Sequence, residues 1–112
     1  MNKNFSQTIA VRSQDPEKLL ELLQQWDIDQ AATDIMGYMG TRVLADREDP
    51  GRYLIVADFG IVDPDVSAAE EAERNNARPE TQAWAAQLRA LVDDEPVYHH
   101  YDELYRTGLS LL

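Results

Sequence analysis

Residues 52–60, RYLIVADFG, alternate Tyr53, Ile55, Ala57 and Phe59 with Leu54, Val56 and Asp58, so a strand-length run is apolar on nearly both parities. Successive side chains of a strand point to opposite faces, and a strand of this kind requires cover on both of them. A fold built around it therefore has to supply two layers, one above the sheet and one below.

The flanking sequence accounts for the first layer. FSQTIAVR (5–12) sets Phe5, Gln7, Ile9 and Val11 against Ser6, Thr8, Ala10 and Arg12, the alternation of a strand with one strongly apolar face. DPEKLLELLQQW (15–26) follows, with Asp15 as N-cap, Pro16 at the first helical position and Leu19, Leu20, Leu22, Leu23 and Trp26 at helical spacing. The stretch from Asp27 to Asp34 either extends this helix or forms an irregular turn. MGYMGTRVLADR (36–47) reads as a second strand that opens with Gly37 and Gly40, residues suited to bends or close approach. REDPGR (47–52) combines the fixed φ of proline with the freedom of glycine and predicts a hairpin turn into RYLIVADFG. A polar, helix-prone segment from Asp65 to Asn75 comes next, then a break. RPETQAWAAQLRALVDD (78–94) predicts a longer helix, with Pro79 near its start and Trp84, Leu88, Leu91 and Val92 on one face. EPVYHHYDELY (95–105) begins with Pro96 and alternates Val97, His99 and Tyr101 with Tyr98, His100 and Asp102, the pattern of a fourth strand.

The order β-α-β-β-α-β is that of a ferredoxin-like α+β fold, an antiparallel sheet with its helices on one face. A single domain over residues 1–112 is expected at this length. The second layer has no source within the chain. The uncovered sheet face is too apolar to be left wet, and a homodimer joined face to face is the simplest closure. The ending TGLSLL (107–112) suggests a short apolar arm that packs on the partner subunit.

Composition narrows the function classes. With no cysteine, the chain has no disulfide, no thiol nucleophile and no cysteine-ligated metal cluster. The N-terminus MNKNFSQTIA lacks the apolar core of a signal peptide, and no apolar run approaches the roughly 20 residues of a membrane span, so a cytoplasmic protein is expected. Lys and Arg number 10 against 21 Asp and Glu, for a formal charge of −11, and the basic residues are scattered singly. Neither nucleic acid nor an anionic membrane is then an expected partner.

Residues 68–104 carry a resemblance. The helix fragment with Glu70, Glu71, Ala72 and Asn75, the run Pro79 to Gln82 with Trp84, and the turn with Asp93 and Pro96 resemble the antibiotic biosynthesis monooxygenase-like family of the dimeric α+β barrel superfamily. The resemblance implies a homodimer whose two sheets form a barrel, with a pocket in each subunit between sheet and helices. It also implies two kinds of chemistry known in the superfamily: cofactor-independent oxygenation of polycyclic phenols, and haem degradation. The haem-degrading branch has an asparagine in the first strand and an axial histidine about ten residues after the tryptophan. This chain has Gln7 and Asp94 at those places, which argues against haem. The function expected is that of a cofactor-independent monooxygenase acting on a small aromatic or phenolic substrate. The alternative is a dimeric binding module of the same fold with no catalysis.

Each candidate residue has a structural reading beside its functional one. Trp84 is either a pocket wall or plain core. Asn75 and Asn76 either turn the chain ahead of Ala77-Arg78-Pro79 or orient a substrate oxygen. Asp58 interrupts an apolar strand, and a buried carboxylate there needs a partner, such as Arg12 or Arg42, or serves as a base. His99 and His100 are adjacent in a strand, so they face opposite ways and cannot share one ion or substrate; no HxH or HxxxH spacing supports a metal. The candidate catalytic set is Trp84, Asn75, His99 and Asp58; the candidate substrate contacts are Tyr53, Tyr38, Asn76 and Tyr101. No metal and no cofactor are expected.

Overall fold

In the computed structural model, which describes residues 4–33, 37–61 and 65–108 (side chains of 29–33 excepted), the chain runs β1 (Phe5–Arg12), α1 (Pro16–Thr33), β2 (Tyr38–Ala45), β3 (Arg52–Phe59), α2 (Ala68–Asn76), α3 (Pro79–Leu91) and β4 (Val97–Asp102). The strands form one sheet in the order β2-β3-β1-β4, with every neighbouring pair antiparallel. This is the ferredoxin-like α+β arrangement expected from the element order. The second crossover carries two helices, because Asn75-Asn76-Ala77-Arg78-Pro79 interrupts the helical run. Asp34 and Met36, at the expected junction into the second strand, and residues 109–112 of the expected C-terminal arm lie outside the described residues.

Local chemistry explains the boundaries. Asp15 caps α1 by accepting the amide of Lys18 at 3.3 Å, and the Ser13 hydroxyl accepts the Asp15 amide at 3.1 Å. Ser67 caps α2 by accepting the Glu70 amide. Pro79 opens α3, where its missing N–H is no loss. At the β2–β3 hairpin Gly51 has a φ of +90°, and its carbonyl accepts the Ser13 amide at 2.9 Å. Arg12 forks onto Asp49 with contacts of 3.2 and 2.6 Å, which ties the hairpin to the end of β1.

Register sorts the side chains. β1 pairs Phe5 with Phe59 and Asp102, Gln7 with Ala57 and His100, and Ile9 with Ile55 and Tyr98. The helix-facing parity is therefore Phe5, Gln7, Ile9 and Val11, joined by Tyr53, Ile55, Ala57 and Phe59 on β3 and by Tyr98 and His100 on β4. Two apolar clusters form under the helices. One joins Ile9, Val11, Leu19, Leu23, Ile55 and Leu88; the other joins Phe5, Phe59, Ala68 and Ala72. Between them lies the row Thr41–Ala57–Gln7–His100, which carries no large apolar side chain.

Gly37 leads into β2 with a φ of +83°, and a β-carbon there would stand 2.8 Å from the Gly60 carbonyl oxygen. The Gly37 carbonyl accepts the Gly60 amide at 2.6 Å, so the backbones meet closely at this end of the sheet. Gly37→Ala imposes both a left-handed conformation and an overlap, and it is expected to lower the unfolding free energy by about 1–3 kcal/mol. Urea denaturation of the two proteins measures the difference.

Candidate functional site

The polar row is the floor of a cavity of about 350 Å³ between sheet and helices, within the range of small-molecule sites. Its apolar walls come from Ile9, Ile55 and Phe59 on the sheet and from Leu23, Trp26, Trp84 and Ala85 on α1 and α3. Trp26 and Trp84 pack with ring centroids 5.3 Å apart at 41°. These are the only two tryptophans in the chain, and both line the cavity. Polar groups enter from three sides: Gln7, Thr41 and His100 from the floor, Asn75, Asn76, Thr81 and Gln82 from the α2–α3 junction, and Tyr38, Tyr98 and Arg89 around these.

The helix break positions the amide groups. Asn75 is buried, and its Oδ1 accepts the Thr81 hydroxyl at 3.4 Å. The Asn76 carbonyl accepts Gln82 Nε2 at 2.6 Å across the α2–α3 corner. His100 stacks on Phe5 with centroids 5.8 Å apart and planes 21° apart, which fixes the imidazole plane at the cavity wall. The Trp84 indole Nε1 is buried and has no hydrogen-bond partner among the described residues. A buried donor left unpaired is costly, and a ligand oxygen would satisfy it.

The two tyrosines that line the cavity are shifted. Burial pushes the Tyr38 phenol up, against the hydrogen bond it shares with Thr41, which lowers it; nearby Asp27 and Asp58 raise it further. Burial likewise raises Tyr98, with Arg89 acting in the opposite direction. Both phenols are thus held neutral.

The cavity gathers Trp84, Asn75, Asn76 and Tyr38 from the sequence-derived candidates. The other four stand elsewhere. His99 and Tyr101 share the opposite parity of β4 and lie on the open face, exposed, with ring centroids 6.2 Å apart. His100 is the imidazole at the cavity. Asp58 is also on the open face, where its Oδ1 accepts the Ser6 hydroxyl at 2.6 Å; Arg12, at the far end of β1, pairs with Asp49 instead. Tyr53 faces the helices but packs on the Leu19 cluster beside Pro16 and Leu20, away from the cavity. The sequence leaves open which of His99 and His100 meets the cavity, for a definable reason. β4 is an edge strand with all six residues exposed, so apolarity does not mark its inner face, and only the Ile9–Tyr98 register does. Gln7, Gln82, Arg89, Tyr98 and Trp26 line the cavity without having been singled out as candidates. Gln7 carried the one available signal, a polar side chain on the apolar parity of β1.

Among the described residues no three His, Asp or Glu side chains gather as metal ligands, and no helix is long and apolar enough to cross a membrane. No family model matches this sequence, and no curated protein does. The fold, however, is that of the antibiotic biosynthesis monooxygenases. A candidate member from Nitrosomonas europaea superposes with a TM-score of 0.68 at 14% identity, covering 96% of this chain and 97% of its own. One from Deinococcus radiodurans gives 0.65 at 20% identity, over 96% and 98%. SnoaB, a cofactor-independent oxygenase from Streptomyces nogalater, gives 0.65 at 18% identity, over 97% and 98%.

The raised Tyr98 phenol has a signed consequence. A group whose folded pKa lies above its unfolded value contributes stability below the unfolded pKa and loses it as pH rises through the folded one. Stability should therefore fall on the alkaline side as pH climbs past the ordinary tyrosine range. Tyr98→Phe should flatten that fall, as read by thermal unfolding in a series of alkaline buffers.

Proposed function

We propose that this chain is a cofactor-independent monooxygenase-like protein acting on a small aromatic or phenolic substrate in the cavity between sheet and helices. The observation that carries this reading is the combination of the Trp26–Trp84 pair with an unpartnered indole N–H and an imidazole, His100, on one cavity. Flat aromatic walls bind a flat aromatic ring. The indole N–H holds an oxygen substituent, and His100, the imidazole on the cavity floor, accepts the proton as general base. The electron-rich carbanion then reduces dioxygen, a hydroperoxide forms at that carbon, and loss of water leaves a carbonyl. For anthrone the balance is anthrone plus dioxygen to anthraquinone plus water. The fold shared with SnoaB, a cofactor-independent oxygenase, supports this chemistry.

Oxygen uptake with anthrone-type substrates and purified protein tests the reading. His100→Ala should lower the rate by about 10²-fold or more, the usual contribution of a general base. Trp84→Phe should lower it while retaining binding, and His99→Ala should leave it unchanged. Saturable binding with no oxygen uptake across such substrates would reject catalysis and leave the non-catalytic binding module of the same fold.

The working form we propose is a homodimer through the open sheet face. Val97 and Tyr101 on that face are about half exposed, at 49% and 53%, and Leu44 is 43% exposed. They sit beside Leu54 and Val56 on the second parity of β3. Sedimentation at micromolar concentration should give a dimer, and a charge placed at the centre of the face, Leu54→Glu, should yield monomers; a monomeric wild-type protein would contradict the proposal.

A further inference from the structure

The charge distribution around the cavity runs against that of the chain. Asp and Glu make up 21 of the 112 residues. Even so, among the described residues none of those lining the cavity is Asp or Glu. Its ionisable members are Arg89, His100 and the two tyrosines. Glu95 acts on Tyr98 through space but does not line the cavity.

Arg89 is the second feature. Arg12, Lys18, Arg52, Arg74, Arg78 and Arg106 all pair with a carboxylate. Arg89, like Arg42 and Arg47, makes no such pair among the described residues, but unlike those two it lines the cavity. It stands in the last turn of α3, on the cavity wall, close enough to Tyr98 to pull its phenol down. The Trp84 indole N–H, five residues earlier on α3 and buried without an acceptor, lines the same cavity. A guanidinium with free donors and an unsatisfied indole donor, in a lining from which carboxylates are missing, make an environment that accepts negative charge and would repel little of it.

We infer that the cavity recognises an aromatic acid, a ligand whose ring lies against Trp26 and Trp84 and whose carboxylate is held by Arg89. The inference rests on the reading of this cavity as the site, but not on oxygen being consumed there. It adds a chemical class: an aromatic ring with an anionic substituent, in preference to a neutral aromatic of the same shape.

Both tryptophans line the cavity, so intrinsic fluorescence reports its occupancy directly. The probes are 1-hydroxy-2-naphthoate and its neutral counterpart 1-hydroxy-2-naphthamide, titrated into the full chain at low salt. The carboxylate should bind roughly tenfold or more tightly than the carboxamide, the range of a hydrogen bond to a charged group. Arg89→Gln should abolish that preference by weakening the carboxylate alone. Arg47→Gln, an equal change of net charge on the exposed hairpin, should leave the preference intact. Equal affinity of the two probes, or equal weakening of both in Arg89→Gln, overturns the inference. Failure of both probes to bind overturns it together with the aromatic cavity on which the proposed reaction depends. Carboxylate preference without oxygen uptake leaves the inference standing and removes only the oxygenase chemistry.

Discussion

The antiparallel pairing of β1 with β3 on one side and β4 on the other is the constraint on which the remaining structure depends. It places Phe5, Gln7, Ile9 and Val11 under the helices and so sets which side chains of three strands share each row. The rows through Ile9 and Phe5 build two apolar clusters, and the row through Gln7 brings together Thr41, Ala57 and His100. Packing density is high wherever large apolar side chains interdigitate, so a row without them leaves space. The cavity is that space. A one-residue slip of β4 would replace His100 by His99 and carry Tyr98 to the other face, because strand side chains alternate with a period of two.

The helical layer closes the cavity by way of an interruption. The break at Asn76-Ala77-Arg78 ends α2 and turns the chain so that α3 packs against α1. Thr81 bonded to Asn75, and Gln82 bonded to the Asn76 carbonyl, hold the corner. The same corner delivers Trp84 against Trp26 and aligns Arg89 with Tyr98. One local device thus shapes the fold and populates the site.

The surface follows different rules. Most of the described acids are exposed, where water screens them and cationic neighbours are incidental; Asp58, bonded to Ser6 on the open face, and the buried Glu71 beside Arg74 are not. The paired contacts of Arg12 with Asp49 have structural content as well, since they join the β2–β3 hairpin to β1. The open sheet face remains more apolar than a solvated face requires, as the two-sided apolar pattern of RYLIVADFG already implied.

Much of the architecture was legible in the sequence because its signals are local. Pro16 behind Asp15, the leucine spacing of α1, Asp-Pro-Gly at the hairpin and Pro79 at the start of α3 each act within one turn of chain, and their element order leaves few topologies open. Trp84, Asn75, Asn76 and Tyr38 were legible as cavity candidates for a similar reason, being conspicuous residues on well-marked elements. His100, Gln7, Arg89 and Tyr98 were not, nor was the placement of Asp58 and Tyr101 on the open face. The sequence alone determines that His99 and His100 point apart, since alternation is a property of any extended backbone. Which of them looks into the cavity depends on hydrogen bonds to β1, some ninety residues away in sequence, and only the tertiary structure sets that register.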